Sequence, residues 1–311
     1  MKSVLITGSS GLVGSAIKKV SEKFKGYNFI YLTSKECDLT DFSQTLKYFN
    51  TTRPDVVIHL AACVGGLFKN MNEKVKMLED NVLINTNVLR AAYQSGVEHL
   101  VACLSTCIFP DNLLEPSQFV HLNESMIHNG PPHYSNEGYA YAKRLLEVHC
   151  KVYRQQFGKR YYCVIPTNIY GPHDNFHLED AHVIPALIHR CYLSKQSGIP
   201  FEIKGTGKPL RQFIYSEDLA ELILKLLQTE NTDNIILADS REYSIKNVAE
   251  IINSYFGNEL VFNKEYSDGQ YRKTADNSLL TSQFNFEFTD LNKGIEKTVK
   301  WFIENYNTLR K

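Results

Sequence analysis

Tyr139 and Lys143, four residues apart in the stretch GYAYAKR, are a phenol and an ammonium at a spacing that can do proton chemistry. On a helix an i, i+4 pair shares one face, so both groups can reach the same ligand. A nearby ammonium favours a phenolate. The pair is therefore expected to have a lowered Tyr139 pKa and to pass a proton to or from a carbonyl oxygen while a hydride moves at the carbon. Tyr-x-x-x-Lys alone is common, and an exposed tyrosine beside a solvated lysine is its ordinary meaning. Ser105 gives it company: it ends the apolar run LVACL about thirty-four residues upstream, where its hydroxyl can bond the same oxygen. Tyr141 falls one step off the shared face and is assigned to packing.

A second signal is Gly8-x-x-Gly11-x-x-Gly14, with Ser9, Ser10, Leu12 and Val13 between the glycines. It follows an apolar run and opens a helical one. That context supplies a tight turn, bare backbone and a helix N-terminus, which is what a dinucleotide pyrophosphate needs. An NAD site would place Asp or Glu at the end of the second strand for the ribose hydroxyls. Here Leu32 is followed by Thr33-Ser34-Lys35, and the Lys35 charge favours a 2′-phosphate and so NADP(H), although Glu36 is the next residue. Asp38 and Leu39 are placed for the adenine edge, and Ala61-Ala62 leave room for the dinucleotide at the backbone.

These groups need elements to hold them. Apolar runs predict strands at Val4–Thr7, Asn28–Leu32, Pro54–Leu60, Leu100–Leu104 and Tyr161–Ile165, with helices at Leu12–Phe24, Glu73–Ser95 and Gly138–Phe157 between them. Later come helices at 183–194, 216–228 and 245–255 and strands at 200–204 and 234–238. Strands alternating with crossover helices give an α/β fold, a Rossmann-type doubly wound parallel sheet with a smaller, interleaved α/β substrate-binding lobe. The expected division is a dinucleotide domain over 1–165, with strand and helix returns around 210–240, and a lobe drawn mainly from 166–311. Gly8, Ser105 and Asn168 all fall at carboxyl ends of strands, where such sheets bind ligands.

Composition narrows the partners. The chain has 311 residues, and its 34 basic and 34 acidic residues cancel, which argues against non-specific nucleic-acid binding or attachment to an anionic membrane. No run is long and apolar enough to span a bilayer, and the first strand starts at once, so neither membrane span nor signal peptide is expected. Seven cysteines without a Cys-x-x-Cys pair read as reduced thiols in the cytoplasm. His173 and His177 have metal-ligand spacing, but Pro172 precedes them and no third ligand is evident, so no metal is expected.

The stretches TGSSGLVGSAI, LSTCIFP, NGPPHYSNEGYAYAKR, IPTNIYGPHDNF, HVIPALI and LRQFIYSEDLA together resemble the extended short-chain dehydrogenase/reductases. Within them they resemble the branch that epimerises and reduces GDP-bound 4-keto-6-deoxy sugars. The resemblance covers nearly the whole chain and implies NADPH, a GDP-sugar substrate and a homodimer built on the two long helices. It implies cofactor contacts from Leu104, Ser105, Tyr139 and Lys143, from Pro166-Thr167-Asn168-Ile169, and from His182.

It also implies a second kind of chemistry. Inverting C3 and C5 beside a C4 ketone passes through an enolate, so a base and an acid must stand on opposite faces of the ring. The resemblance puts Cys107 and His182 in those roles. Cys107, two residues past Ser105, is expected on the same side of the strand end, with a partly exposed thiol that a cationic histidine could ionise. The run Ser105-Thr106-Cys107-Ile108 lacks the Asp-Glu of sugar-nucleotide dehydratases, so dehydration is not expected. Arg190, Arg211 and Asp276 match substrate-binding positions of the family, as does Asn168. Lys204, a further substrate-binding position, stands where bacterial members carry Trp; its ammonium is expected to meet the diphosphate but cannot stack. Two alternatives stay open: the same chemistry on a 3,6-dideoxy keto sugar giving GDP-colitose, and a non-catalytic NADP-binding sensor.

Overall fold

The structure, a computed structural model, describes residues 1–111, 120–268 and 270–309. Its first half alternates β1 (Lys2–Thr7), α1 (Leu12–Val20), β2 (Tyr27–Leu32), α2 (Phe42–Thr52), β3 (Val56–His59), α3 (Leu67–Asn72), α4 (Lys74–Gln94), β4 (His99–Cys103), α5 (Glu137–Phe157) and β5 (Arg160–Pro166). The remainder runs β6 (Asn168–Tyr170), α6 (Val183–Ser197), β7 (Phe201–Lys204), β8 (Leu210–Tyr215), α7 (Ser216–Leu226), β9 (Ile235–Leu237), β10 (Glu242–Ser244), α8 (Ile245–Asn253), β11 (Leu260–Asn263), β12 (Arg272–Lys273), α9 (Ser278–Gln283) and α10 (Leu291–Asn305).

The central sheet has six parallel strands in the order β2-β1-β3-β4-β5-β9. The chain moves one way from β1 to β2 and the other way from β3 onward, so the switch in direction lies beside the carboxyl end of β1. That is where an open parallel sheet leaves a crevice. Both sheet faces are covered, and successive strand residues therefore enter different apolar layers. Val4, Ile6, Val56, Ile58, Val101 and Val164 pack with α1 and α7. Leu5, Val57, Leu100, Ala102, Cys163 and Ile165 pack with α4 and α5 on the other side. A third core, with Phe201, Ile203, Phe213 and Tyr215 against α6, α8 and α10, belongs to the smaller lobe. The chain after residue 166 feeds both: α7, β9 and α9 return to the large sheet.

The strands expected from apolar runs form within two residues of the expected bounds. The helix expected over Leu12–Phe24 is shorter, since α1 ends at Val20 and a 3-10 turn follows over Ser21–Lys23. The Ser21 hydroxyl donates to the Lys18 carbonyl at 2.8 Å, ending the ladder there. α2 and α10 have no counterpart in the sequence reading, although each begins at an aspartate cap. Asp41 accepts from the Gln44 amide at 3.0 Å, and Asp290 accepts from Asn292 at 3.0 Å. Such a cap contributes about 1 kcal/mol.

Candidate active site

A cavity of about 640 Å³ opens at the crevice beside β1 and extends to the smaller lobe. Its floor is the glycine turn. Gly8 has φ +69°, and a Cβ there would lie 2.8 Å from the Ala61 amide nitrogen. A Cβ on Gly14 would lie 2.5 Å from the Cα of Ser9, so the turn and the first turn of α1 close up only without side chains. Gly11 caps α1 with no side chain on the free N–H groups, and the first turn holds no acidic residue. The positive helix end therefore faces the cavity unopposed, a site for an anion.

Most of the sequence-derived set borders this one cavity: Gly8, Ser10, Gly11, Leu12, Val13 and Gly14 from the turn, then Asp38, Leu39, Ala61 and Ala62, and further in Leu104, Ser105, Tyr139, Lys143, Pro166, Thr167, Asn168, Ile169 and His182. Ser9 does not line it. That side chain turns inward and donates to the Leu32 carbonyl at 2.9 Å, tying the turn to β2. Lys35 is exposed and also off the lining, while its neighbours Thr33 and Ser34 are on it. The Glu36 carboxylate accepts from the Thr33 amide and hydroxyl, at 2.9 and 2.8 Å, and these bonds hold its pKa below the usual range. The buried Thr167 hydroxyl, on the cavity wall, has no hydrogen-bond partner among the described residues. An orphan donor, a bare glycine turn and an open helix end together fit a dinucleotide.

Around the reacting end the structure changes three expectations. Tyr139 is raised well above its ordinary pKa of 10.0, by burial first and then by the nearby thiols of Cys107, Cys103 and Cys63. The expected lowering by Lys143 does not appear; every influence on the phenol raises it. The buried Lys143 ammonium donates to the Cys103 carbonyl at 2.7 Å and sits 5.7 Å from the Tyr139 ring centre. Tyr139 is thus a neutral phenol, a proton donor.

Cys107, second, does not follow Ser105 along a strand. β4 ends at Cys103, and a 3-10 turn over Thr106–Ile108 is capped by Ser105, whose hydroxyl oxygen accepts from the Cys107 amide at 3.4 Å. Side chains in a turn of three residues do not alternate as they would on a strand, and Thr106, not Cys107, lines the cavity. Third, the thiol is half-buried and burial pushes its pKa above 9.0, against opposing pulls from Ser105, Lys273 and Lys143. His182 caps α6, open to the cleft but crowded by protein behind, and this desolvation puts its imidazole below 6.5. A thiolate–imidazolium pair is therefore not the resting state. The pair is a neutral imidazole, which accepts a proton, and a neutral thiol, which donates one.

The expected substrate cations stand outside this lining. Arg190 donates to the Leu178 carbonyl at 3.1 Å, and Arg211 to the Leu210 carbonyl at 2.7 Å. Lys204 is exposed with its ammonium 4.6 Å from the Tyr266 ring centre, so an aromatic surface stands next to the position that lacks one. Asp276 accepts from the Ser278 amide at 2.8 Å and from its hydroxyl, capping a turn. Sequence reasoning singles out Asp276 but not Lys273, three residues earlier. Lys273 pairs with Arg211 across β12 and β8, near Cys107, and burial together with the Arg211 charge pulls its ammonium down to about 8. A two-residue strand carries no readable periodicity, which is why that position is silent in the sequence. His173 and His177, at metal-like spacing, have other tasks: one ring lies 4.6 Å from Trp301, and the other accepts from the Asp180 amide at 3.2 Å. The smaller lobe closes on the cavity through the Gly66 amide, which donates to the Asp180 carbonyl at 2.7 Å.

Comparison with known proteins bears on this geometry. The NAD dependent epimerase/dehydratase family model matches residues 4–238. The GDP-L-fucose synthase of Dictyostelium discoideum is 48% identical, over 100% of this chain and 98% of that protein. A probable GDP-L-fucose synthase of Drosophila melanogaster is 45% identical over 100% of both. Among solved structures, a GDP-L-fucose synthetase from Naegleria fowleri bound to NADP superposes with a TM-score of 0.93 at 42% identity, covering 100% of this chain and 95% of that one.

Proposed function

The chain belongs to the NAD dependent epimerase/dehydratase family, and within that family we propose that it converts GDP-4-keto-6-deoxy-D-mannose to GDP-L-fucose by 3,5-epimerisation and NADPH-dependent 4-reduction. The observation that carries this reading is the single cavity that joins a dinucleotide turn, a Ser105–Tyr139–Lys143 cluster and His182.

The glycine turn and the open end of α1 hold the pyrophosphate, and Thr167 takes a polar group of the dinucleotide. NADPH, when bound, supplies the hydride for C4. The neutral His182 imidazole removes the proton from C3 or C5, and the electrons of that C–H bond move into an enolate. The Cys107 thiol then protonates the carbon from the opposite face. Afterwards His182 holds one extra proton and Cys107 lacks one, and exchange with water restores both before the second inversion. In the reduction, Tyr139 donates its phenolic proton to the C4 oxygen, Ser105 donates a hydrogen bond to the same oxygen, and Lys143 fixes the ribose side while its charge steadies the phenolate left behind. Arg190, Arg211 and Lys273 are assigned to the diphosphate. We divide the chain accordingly, with residues 1–165 and the returning α7 and β9 as the NADP domain and the rest of 166–311 as the GDP-sugar lobe.

NADPH consumption on addition of the keto sugar tests this. The base must be unprotonated, so activity falls as pH drops through the His182 pKa below 6.5; the acid must be protonated, so activity falls as pH rises through the Cys107 pKa above 9.0. At saturating sugar the rate should therefore hold level between these values, while KM rises as Lys273 loses its charge near pH 8. No sugar-dependent consumption at any pH contradicts the function, and a narrow optimum inside the window contradicts the two roles.

A homodimer and a cytoplasmic setting complete the proposal. α5 exposes Tyr141, Leu145, Val148 and Val152 in one stripe, and the neighbouring α4 exposes Val75, Leu78 and Leu83. Such an apolar face on two packed helices suits a two-fold partner. Light scattering should give twice the 35.6 kDa chain mass; a monomer at micromolar concentration refutes the dimer. Seven unbridged cysteines suit a reducing compartment, and no described helix is long and apolar enough to cross a membrane.

A further inference from the structure

One buried titratable residue, His59, has no part in the steps above, and its surroundings link the two halves of the site. It is the last residue of β3 and 1% exposed. Its Nδ1 is 2.8 Å from the Thr7 hydroxyl and its Nε2 is 3.0 Å from Asn85 Oδ1. Asn85, on α4, donates through Nδ2 to the Ala142 carbonyl at 3.4 Å. The Thr7 oxygen also accepts from the Leu60 and Ala61 amides, at 3.2 and 3.1 Å.

Only one arrangement of protons satisfies every member. The Asn85 amide group must face a carbonyl, so its oxygen faces His59 and can only accept, which requires a proton on Nε2. Nδ1 then accepts from Thr7. The Thr7 hydroxyl has one proton, given to His59, and two lone pairs, given to the backbone amides. A second ring proton would find no acceptor, so the imidazole stays neutral. Burial, together with the charge of Lys143, keeps its pKa down at about 3, in agreement with that count.

The chain of bonds runs between functional elements. At one end Thr7 precedes Gly8, and Leu60 and Ala61 line the dinucleotide side of the cavity. At the other, Ala142 precedes Lys143 and lies on the same helix as Tyr139. We propose that His59 is a positioning residue, which with Thr7 and Asn85 sets the separation between the nucleotide-binding turn and the Tyr139–Lys143 helix and so aligns the nicotinamide with the phenol. Neither His182, at the start of α6, nor Cys107, in the turn after β4, is tied to this chain of bonds. The inference rests on the roles given above to Tyr139 and Lys143 in reduction and to His182 and Cys107 in epimerisation.

This division gives a test that loss of fold alone would fail to reproduce. In His59→Phe, kcat for NADPH oxidation should fall ~10–100-fold, the scale of a misplacement of about 1 Å. Deuterium entry at C3 and C5, measured with NADP⁺ in place of NADPH, should stay within about threefold of wild type, as should the NADPH dissociation constant. Should His59→Phe fail to fold, Asn85→Leu decides, because it keeps Thr7, His59 and their mutual bond and cuts the chain at Asn85, removing the bonds to His59 Nε2 and to the Ala142 carbonyl; it should show the same split. A parallel fall in exchange and reduction, or no fall in either, overturns the positioning role while leaving the functional reading intact. Wild-type protein that performs neither reaction overturns that reading, and this inference with it.

Discussion

Tyr139→Phe will stop the reduction and leave the epimerisation running. Burial keeps the phenol protonated far above neutral pH, so its contribution at C4 is a proton, and phenylalanine has none to give. A single positioned acid is worth ~10²–10⁴-fold, and NADPH oxidation should fall by that factor. The ring itself remains, so packing on α5 and NADPH affinity should be nearly unchanged. Deuterium from heavy water should still enter C3 and C5, because His182 and Cys107 are untouched. Retention of most of the reduction rate would show that another group, Ser105 or a water, delivers the proton.

The mirror-image result is expected at Cys107. In Cys107→Ser the acid is replaced by a hydroxyl that gives up its proton far less readily, while size and the capped turn after Ser105 are preserved. Inversion at C3 and C5, read as formation of the L-configured sugar, should drop ~10²–10⁴-fold, while His182 can still exchange deuterium on its own face. NADPH affinity should not change, since Cys107 does not border the cavity that holds the dinucleotide turn. Any reduction that persists would act on the uninverted keto sugar. Unchanged inversion at C3 and C5 would remove Cys107 from the mechanism, and its half-buried thiol would then be a packing group like that of Cys150.

The two variants separate roles that the sequence states with different clarity. The glycine turn is legible because a short backbone approach, 2.5 Å from a hypothetical Cβ to Ser9 at Gly14, forbids any other residue. The Tyr139–Lys143 pair is legible because a helix of twenty-one residues fixes the i, i+4 spacing. Their electrostatics are not, since the direction of the Tyr139 shift depends on how deeply the fold buries it. Ser105 and Cys107 illustrate the same limit: reading them as neighbours on a strand ignores where β4 stops, and the 3-10 turn that follows is a matter of capping. α2 and α10 do carry local signals, Asp41 with Gln44 three residues on and a Leu291–Ile295–Val299–Phe302 stripe. The His59 chain of bonds joins residues 7, 59, 85 and 142, and nothing local marks them as partners. Likewise Lys273 acquires its place beside Arg211 only through strand pairing.

The central claim is that one site both inverts two carbons and reduces a third. Wild-type protein incubated in heavy water with NADPH and GDP-4-keto-6-deoxy-D-mannose, with the product sugar identified by NMR, tests it most directly. The expected product is GDP-L-fucose bearing deuterium at C3 and C5 and protium at C4. A product that keeps the D configuration without deuterium at those carbons, or a substrate recovered unchanged, would contradict it.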